Sequence, residues 1–168
     1  MLRFIVMDVD GTLTDGKIYM GQQGESFKAF DVKDGCGIKD ILPQINVIPI
    51  IITARYSNIL KRRCDELGIK YVFQGVHNKL KKLNQFLVEK SKVDNCDYSL
   101  SQVAYIGDDI LDLQCMIPIK SAGGIVGCPY DATKQVMEIA TFVSKKTGGN
   151  GAVREFIEHL RNIGLERN

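Results

Sequence analysis

Five short apolar, β-branched runs, separated by stretches of helical spacing, constrain this chain more than any other feature. They fall at 2–7, 47–52, 70–73, 103–106 and 141–143. A strand covered on both faces reads as a near-continuous apolar run, and parallel strands joined by helices are covered in this way. Between the runs, Ile59, Leu60, Arg63, Cys64 and Leu67 repeat with helical period, as do Leu80, Leu83, Phe86 and Leu87. Gly68 reads as a helix stop and Asp131 as a helix N-cap. The pattern predicts an α/β, Rossmann-like, doubly wound and mainly parallel sheet. With 168 residues, one domain over 1–168 is expected.

One segment, 17–30, breaks the alternation. Lys17-Ile18-Tyr19-Met20 and Glu25-Ser26-Phe27-Lys28-Ala29-Phe30 flank a tetrad bounded by Gly21 and Gly24, which predicts a β-hairpin flap. The gaps on either side of the later runs leave no room for a separate cap domain.

Charge excludes some partners. The 22 basic and 20 acidic residues are interspersed, so neither a nucleic-acid nor a membrane surface is indicated, and small molecules or further copies of the chain are the expected partners. The first apolar run meets Asp8 and Asp10 far short of a membrane span or signal-peptide pattern, which predicts a cytoplasmic protein. Cys36, Cys64, Cys96, Cys115 and Cys128 show no zinc spacing and read as reduced, mostly buried thiols. His77 and His159 stand apart in sequence and support neither a metal nor a triad.

In an open parallel sheet, ligands bind beyond the carboxyl ends of the strands, so the residues after each run are the informative ones. After the first run comes Asp8-Val9-Asp10-Gly11-Thr12-Leu13-Thr14-Asp15-Gly16. In extended chain Asp8 and Asp10 project to one side, and their repulsion calls for a cation or a shared proton; magnesium fits such hard oxygen donors. Alone, the motif also reads as turn-forming aspartates. Thr53-Ala54-Arg55 follows the second run, Lys79 the third, and Gly107-Asp108-Asp109-Ile110-Leu111-Asp112 the fourth. A hydroxyl, a cation and a further acidic cluster then share one sheet edge.

In this order the four motifs resemble those of the haloacid dehalogenase phosphohydrolases. The resemblance implies that Asp8 attacks phosphorus to form an aspartyl phosphate, and that Asp10 protonates the leaving sugar oxygen and later activates water. It implies that Thr53 and Lys79 hold the phosphoryl oxygens. Mg2+ is then bound by the Asp8 carboxylate, the Asp10 carbonyl and Asp108, with Asp109 and Asp112 supporting it.

Further stretches resemble the capless branch of 3-deoxy-D-manno-octulosonate 8-phosphate and nonulosonate 9-phosphate phosphatases. These are the hairpin with Tyr19-Met20-Gly21, Phe30-Asp31-Val32-Lys33-Asp34-Gly35, Gln74-Gly75, and Gly148-Gly149-Asn150-Gly151-Ala152-Val153-Arg154-Glu155. By that resemblance Asp10, Asp31, Val32, Lys33, Asp34, Gly35, Lys39, Arg55, Arg63 and Lys79 form or border the pocket of a 2-keto-3-deoxy sugar acid phosphate in lipopolysaccharide biosynthesis. A homotetramer whose neighbouring subunits complete each site is also implied. Arg154 either reaches a neighbouring site or caps its own helix region. Thr-Ala-Arg replaces the usual Thr-Gly-Arg, which matters only where that position needs positive φ. Arg55 favours the octulosonate over the nonulosonate substrate.

Two other classes share parts of the pattern. A phosphoacceptor signalling domain also clusters Asp, Thr and Lys on an α/β sheet, but there the Lys follows the acidic sites, whereas Lys79 precedes Asp108. A non-catalytic scaffold would not need every charged motif residue intact.

Overall fold

The computed structural model describes residues 1–166, and its sheet follows from which strand residues face which layer. Strand β1 (Phe4–Met7) lies at the centre, with β4 (Ile48–Ile52) and β5 (Tyr71–Phe73) on one side. On the other side lie β6 (Val103–Ile106), β7 (Ile125–Cys128) and β8 (Phe142–Val143). All five pairings are parallel. Along β1, Ile5 and Met7 join one core while Phe4 and Val6 join the other. Period-2 alternation between two covered faces explains why the sequence run is apolar throughout.

The first core is closed by Ile38, Ile41 and Leu42, which follow α1 (Val32–Cys36), and by α2 (Asn58–Leu67) and α6 (Ala152–Glu166). The second is closed by α3 (Lys79–Asp94), α4 (Leu113–Ser121) and α5 (Lys134–Ile139). The predicted helical stripes are the faces that pack here: Leu60 and Cys64 of α2, and Leu83, Phe86 and Leu87 of α3. Gly68 ends α2 at φ 71°, a left-handed conformation that glycine adopts without strain. Among the described residues no helix is long and apolar enough to cross a membrane. Cys64, Cys115 and Cys128 are buried and Cys36 and Cys96 exposed, all as free thiols.

Two features differ from the sequence reading. β7 emerges as a strand of its own. Asp131 is not a helix N-cap: Thr133 holds that position for α5, and the Asp131 carboxylate accepts from the Gly148 N–H at 2.9 Å. Asp34 is buried at a small cavity that it lines together with Asp31, Gly35 and Arg63. Only 1 % exposed, it accepts the Arg154 N–H at 2.7 Å and so caps the first turn of α6.

Burial pushes the Asp34 carboxyl up to about 6, against hydrogen bonds from Arg154 and Gly151 that favour the anion. A raised folded-state value means that native protein binds this proton more readily than the unfolded chain. Stability should therefore fall as pH rises from about 4 to about 6, by up to about 3 kcal/mol. Asp34→Asn keeps an acceptor for Arg154 and removes the charge. Denaturant unfolding at pH 4 and pH 7 should show the wild type losing stability relative to Asp34→Asn between them; parallel behaviour would contradict this origin.

Candidate active site

The chain runs outward from β1 to β5 and then returns to lay β6 on the other side of β1, so the sheet's switch point lies between β1 and β6. Met7 pairs with Ile106 in register, and the Asp8 N–H donates to the Ile106 carbonyl at 3.1 Å. Asp8 and the Gly107-Asp108 turn thus leave the sheet side by side. Two glycines permit the approach. A Cβ on Gly11, where φ is 92°, would lie 2.1 Å from Asp108 Oδ2, and one on Gly107 would lie 2.3 Å from Asp112 Cγ.

Lys79 enters from the start of α3 and is 1 % exposed. Its Nζ sits 2.8 Å from Asp8 Oδ1 and 2.7 Å from Asp112 Oδ1. Asp112 is equally buried and accepts from the Tyr105 hydroxyl at 2.7 Å and from the Asp108 and Asp109 N–H groups at 2.9 and 3.1 Å. Thr12 donates to Asp108 Oδ1 at 2.9 Å. Carboxylate oxygens of Asp8, Asp108 and Asp112 all converge within 4.8 Å of one another.

Electrostatics follow from that crowding. Burial, then repulsion from Asp112, raises Asp8 to about 6 against the pull of Lys79. Burial, then Asp8 and Asp112, raises Asp108 to about 8. For Lys79 desolvation works against the charge, but Asp8 and Asp112 outweigh it and hold the ammonium above its ordinary range. One cation among three carboxylates leaves an excess of negative charge, which suits a divalent ion with oxygen ligands.

Asp10 is held at the outer side. Its Oδ1 pairs with Lys28, just past β3 (Gly24–Phe27) of the hairpin begun by β2 (Tyr19–Gly21), and its Oδ2 lies 3.5 Å from Arg55 Nη1. Glu25 of β3 pairs with Lys28 at 3.0 Å and Arg55 at 3.2 Å and accepts from Ser57, the N-cap of α2. Thr53 is buried where β4 ends, its N–H on the Phe73 carbonyl at 3.0 Å. Ala54 lacks positive φ, so Thr-Ala-Arg carries no backbone strain.

Of the remaining pocket residues, Asp31, Asp34, Gly35 and Arg63 line one small cavity. Asp31 caps α1, Val32, Lys33 and Lys39 are exposed, and Arg63 pairs with Glu66 at 2.9 Å beside Gly35. Asp109 is exposed and accepts from the Ile110 N–H, while Asp112 joins the buried cluster. The Arg154 side chain pairs with Glu158 of its own helix at 2.7 Å.

No protein-family model matches the chain. It is 39% identical over 159 residues to the 3-deoxy-D-manno-octulosonate 8-phosphate phosphatase of Salmonella typhi, spanning 95% of this chain and 79% of that one. The chain belongs to the 3-deoxy-D-manno-octulosonate 8-phosphate phosphatase family. Family members are phosphoric monoester hydrolases, and this chain shares their haloacid dehalogenase fold. The Yersinia pestis phosphatase superposes with TM-score 0.84 at 38% identity, covering 98% of this chain and 84% of that one. The Moraxella catarrhalis phosphatase, in complex with magnesium, phosphate and KDO, superposes with TM-score 0.82 at 38% identity, covering 96% and 86%.

Thr12, Glu25, Lys28, Ser57 and Tyr105 at this family's site were not singled out from sequence. Thr12 lies inside the first motif and could have been suspected there. Glu25 and Lys28 carry only the signature of a polar hairpin.

Proposed function

We propose that the chain hydrolyses 3-deoxy-D-manno-octulosonate 8-phosphate through a phosphoryl group carried on Asp8, with magnesium as the divalent ion. The observation that carries this reading is the buried Asp8 carboxylate, gripped by Lys79 and faced by Asp108 and Asp112 at the sheet's switch point. The complex of the Moraxella catarrhalis relative with magnesium, phosphate and KDO supports both the ion and the sugar class.

The donor set fits the ion: Asp8 and Asp108 would hold it by carboxylate and Asp10 by its carbonyl, with Asp109 and Asp112 supporting it. When bound, it supplies charge neutralisation for the carboxylates and the phosphoryl oxygens. Asp8 then attacks phosphorus, and the phosphorus–oxygen bond to the sugar breaks as Asp10 gives its proton to the leaving oxygen. Asp10 next takes a proton from water whose oxygen attacks phosphorus, freeing phosphate and regenerating Asp8. Lys79 and Thr53 position Asp8 and the phosphoryl oxygens, a reaction needing placement and charge cancellation above all. Arg55, Arg63, Lys33 and Lys39 supply cations for the sugar carboxylate, with Asp31, Val32 and Gly35 bordering the pocket.

Steady-state phosphate release should favour the octulosonate 8-phosphate over a nonulosonate 9-phosphate by at least about tenfold in kcat/KM. A reversed preference would assign the nonulosonate substrate instead.

Assembly belongs to the same reading. Ile18, Met20 and Phe27 of the hairpin are 50 %, 67 % and 53 % exposed, apolar side chains suited to contact with further copies in a homotetramer. Ile18→Asp or Met20→Glu should dissociate the assembly and lower activity together, read by light scattering and turnover. A fully active wild-type monomer would refute shared sites.

A further inference from the structure

The hairpin does more than cover the site: it supplies a cation that fixes Asp10. The Lys28 side chain is 2 % exposed, and a buried ammonium needs carboxylate partners to be tolerated. Asp10 and Glu25 are those partners, and Arg55 completes a group of two acids and two bases. Asp10 Oδ1 is thereby hydrogen-bonded to Lys28, while its Oδ2 faces the Arg55 guanidinium at 3.5 Å. Glu25 anchors the hairpin side of the group, tied to Arg55 and to Ser57 at the start of α2.

We propose that Lys28 is a positioning residue, through which the hairpin holds the Asp10 carboxyl in the orientation that delivers its proton to the leaving oxygen. The inference rests on Asp10 acting as the general acid. The proton passes from the Asp10 carboxyl to the ester oxygen as the phosphorus–oxygen bond breaks. A displaced donor therefore penalises poor leaving groups selectively.

Phenyl phosphate and p-nitrophenyl phosphate separate this role from substrate binding, since neither carries the sugar carboxylate and only the first needs strong proton donation. For both, kcat/KM reports steps up to loss of the leaving group. Asp10→Asn should lower kcat/KM for phenyl phosphate by about 10²-fold or more while largely sparing p-nitrophenyl phosphate. Lys28→Met should show the same selectivity at about tenfold to a hundredfold, and Lys28→Arg should recover most of it.

The double variant Lys28→Met with Glu25→Gln keeps the buried group neutral and should show the same selective loss. Equal losses on both esters in both Lys28→Met variants would overturn the proposal and make Lys28 a structural residue. So would a rise in KM with kcat unchanged, which would assign it to binding. An Asp10→Asn variant that does not discriminate between the esters would instead overturn the acid role itself.

Discussion

Asp8→Asn is expected to lower phosphate release from 3-deoxy-D-manno-octulosonate 8-phosphate by at least about 10³-fold while leaving the fold intact. An amide cannot attack phosphorus, and it replaces an anionic ligand with a weak neutral one. Stability should move the other way. Asp8 is raised to about 6 chiefly by burial, which means that its charge destabilises the native state above that pH in the absence of a cation. The amide relieves that penalty, so the metal-free variant should unfold at the same or a higher temperature than the wild type. Undiminished turnover by Asp8→Asn would remove Asp8 from the reaction.

Lys79→Met should have the second large effect, on stability and activity together. Lys79 is the ammonium bonded to both Asp8 and Asp112, and removing one member of a buried charge group costs about 3–5 kcal/mol. Three facing carboxylates then remain without a cation from the protein. Magnesium should partly substitute, so its addition should raise the melting temperature of Lys79→Met more than that of the wild type. The same ion should restore little activity, because the ammonium that positions Asp8 and the phosphoryl group is gone. A variant as stable as wild type without magnesium would contradict the structural half of this account.

Much of this architecture was legible because parallel strands announce themselves. β1, β4, β5, β6 and β8 lie within the five apolar runs, and the residues that follow the first four of those runs form the motifs. β7 was not legible. It contains Gly127, whose missing side chain makes room for the Phe156 ring, 2.7 Å from where a Cβ would stand. That contact spans distant parts of the chain, so no local pattern reports it. α4 carries Pro118 within it, which breaks the usual helical signature. Asp34 was placed at the pocket by resemblance alone, and its bond to the Arg154 N–H comes from the packing of α1 against α6, which no local pattern reports.

The site divides in the same way. Asp8, Asp10, Thr53, Lys79 and Asp108 follow strand ends, so sheet topology alone gathers them. Lys28 and Glu25 reach the site only because the hairpin folds back onto Asp10, and a polar hairpin in sequence looks like any solvated edge. Asp112 lay within a recognisable acidic run. Its bonds to Lys79, Tyr105 and two backbone N–H groups depend on a turn that only Gly107 permits.

In the proposed reaction the sugar phosphate passes its phosphoryl group to Asp8. Rapid quenching of wild-type turnover of 3-deoxy-D-manno-octulosonate 8-phosphate with magnesium, followed by borohydride reduction and peptide mass spectrometry, tests it directly, because reduction converts an aspartyl phosphate to homoserine. The expected result is homoserine at position 8 during turnover, absent without substrate. Steady phosphate release with Asp8 unmodified, or with the label on another residue, would contradict it.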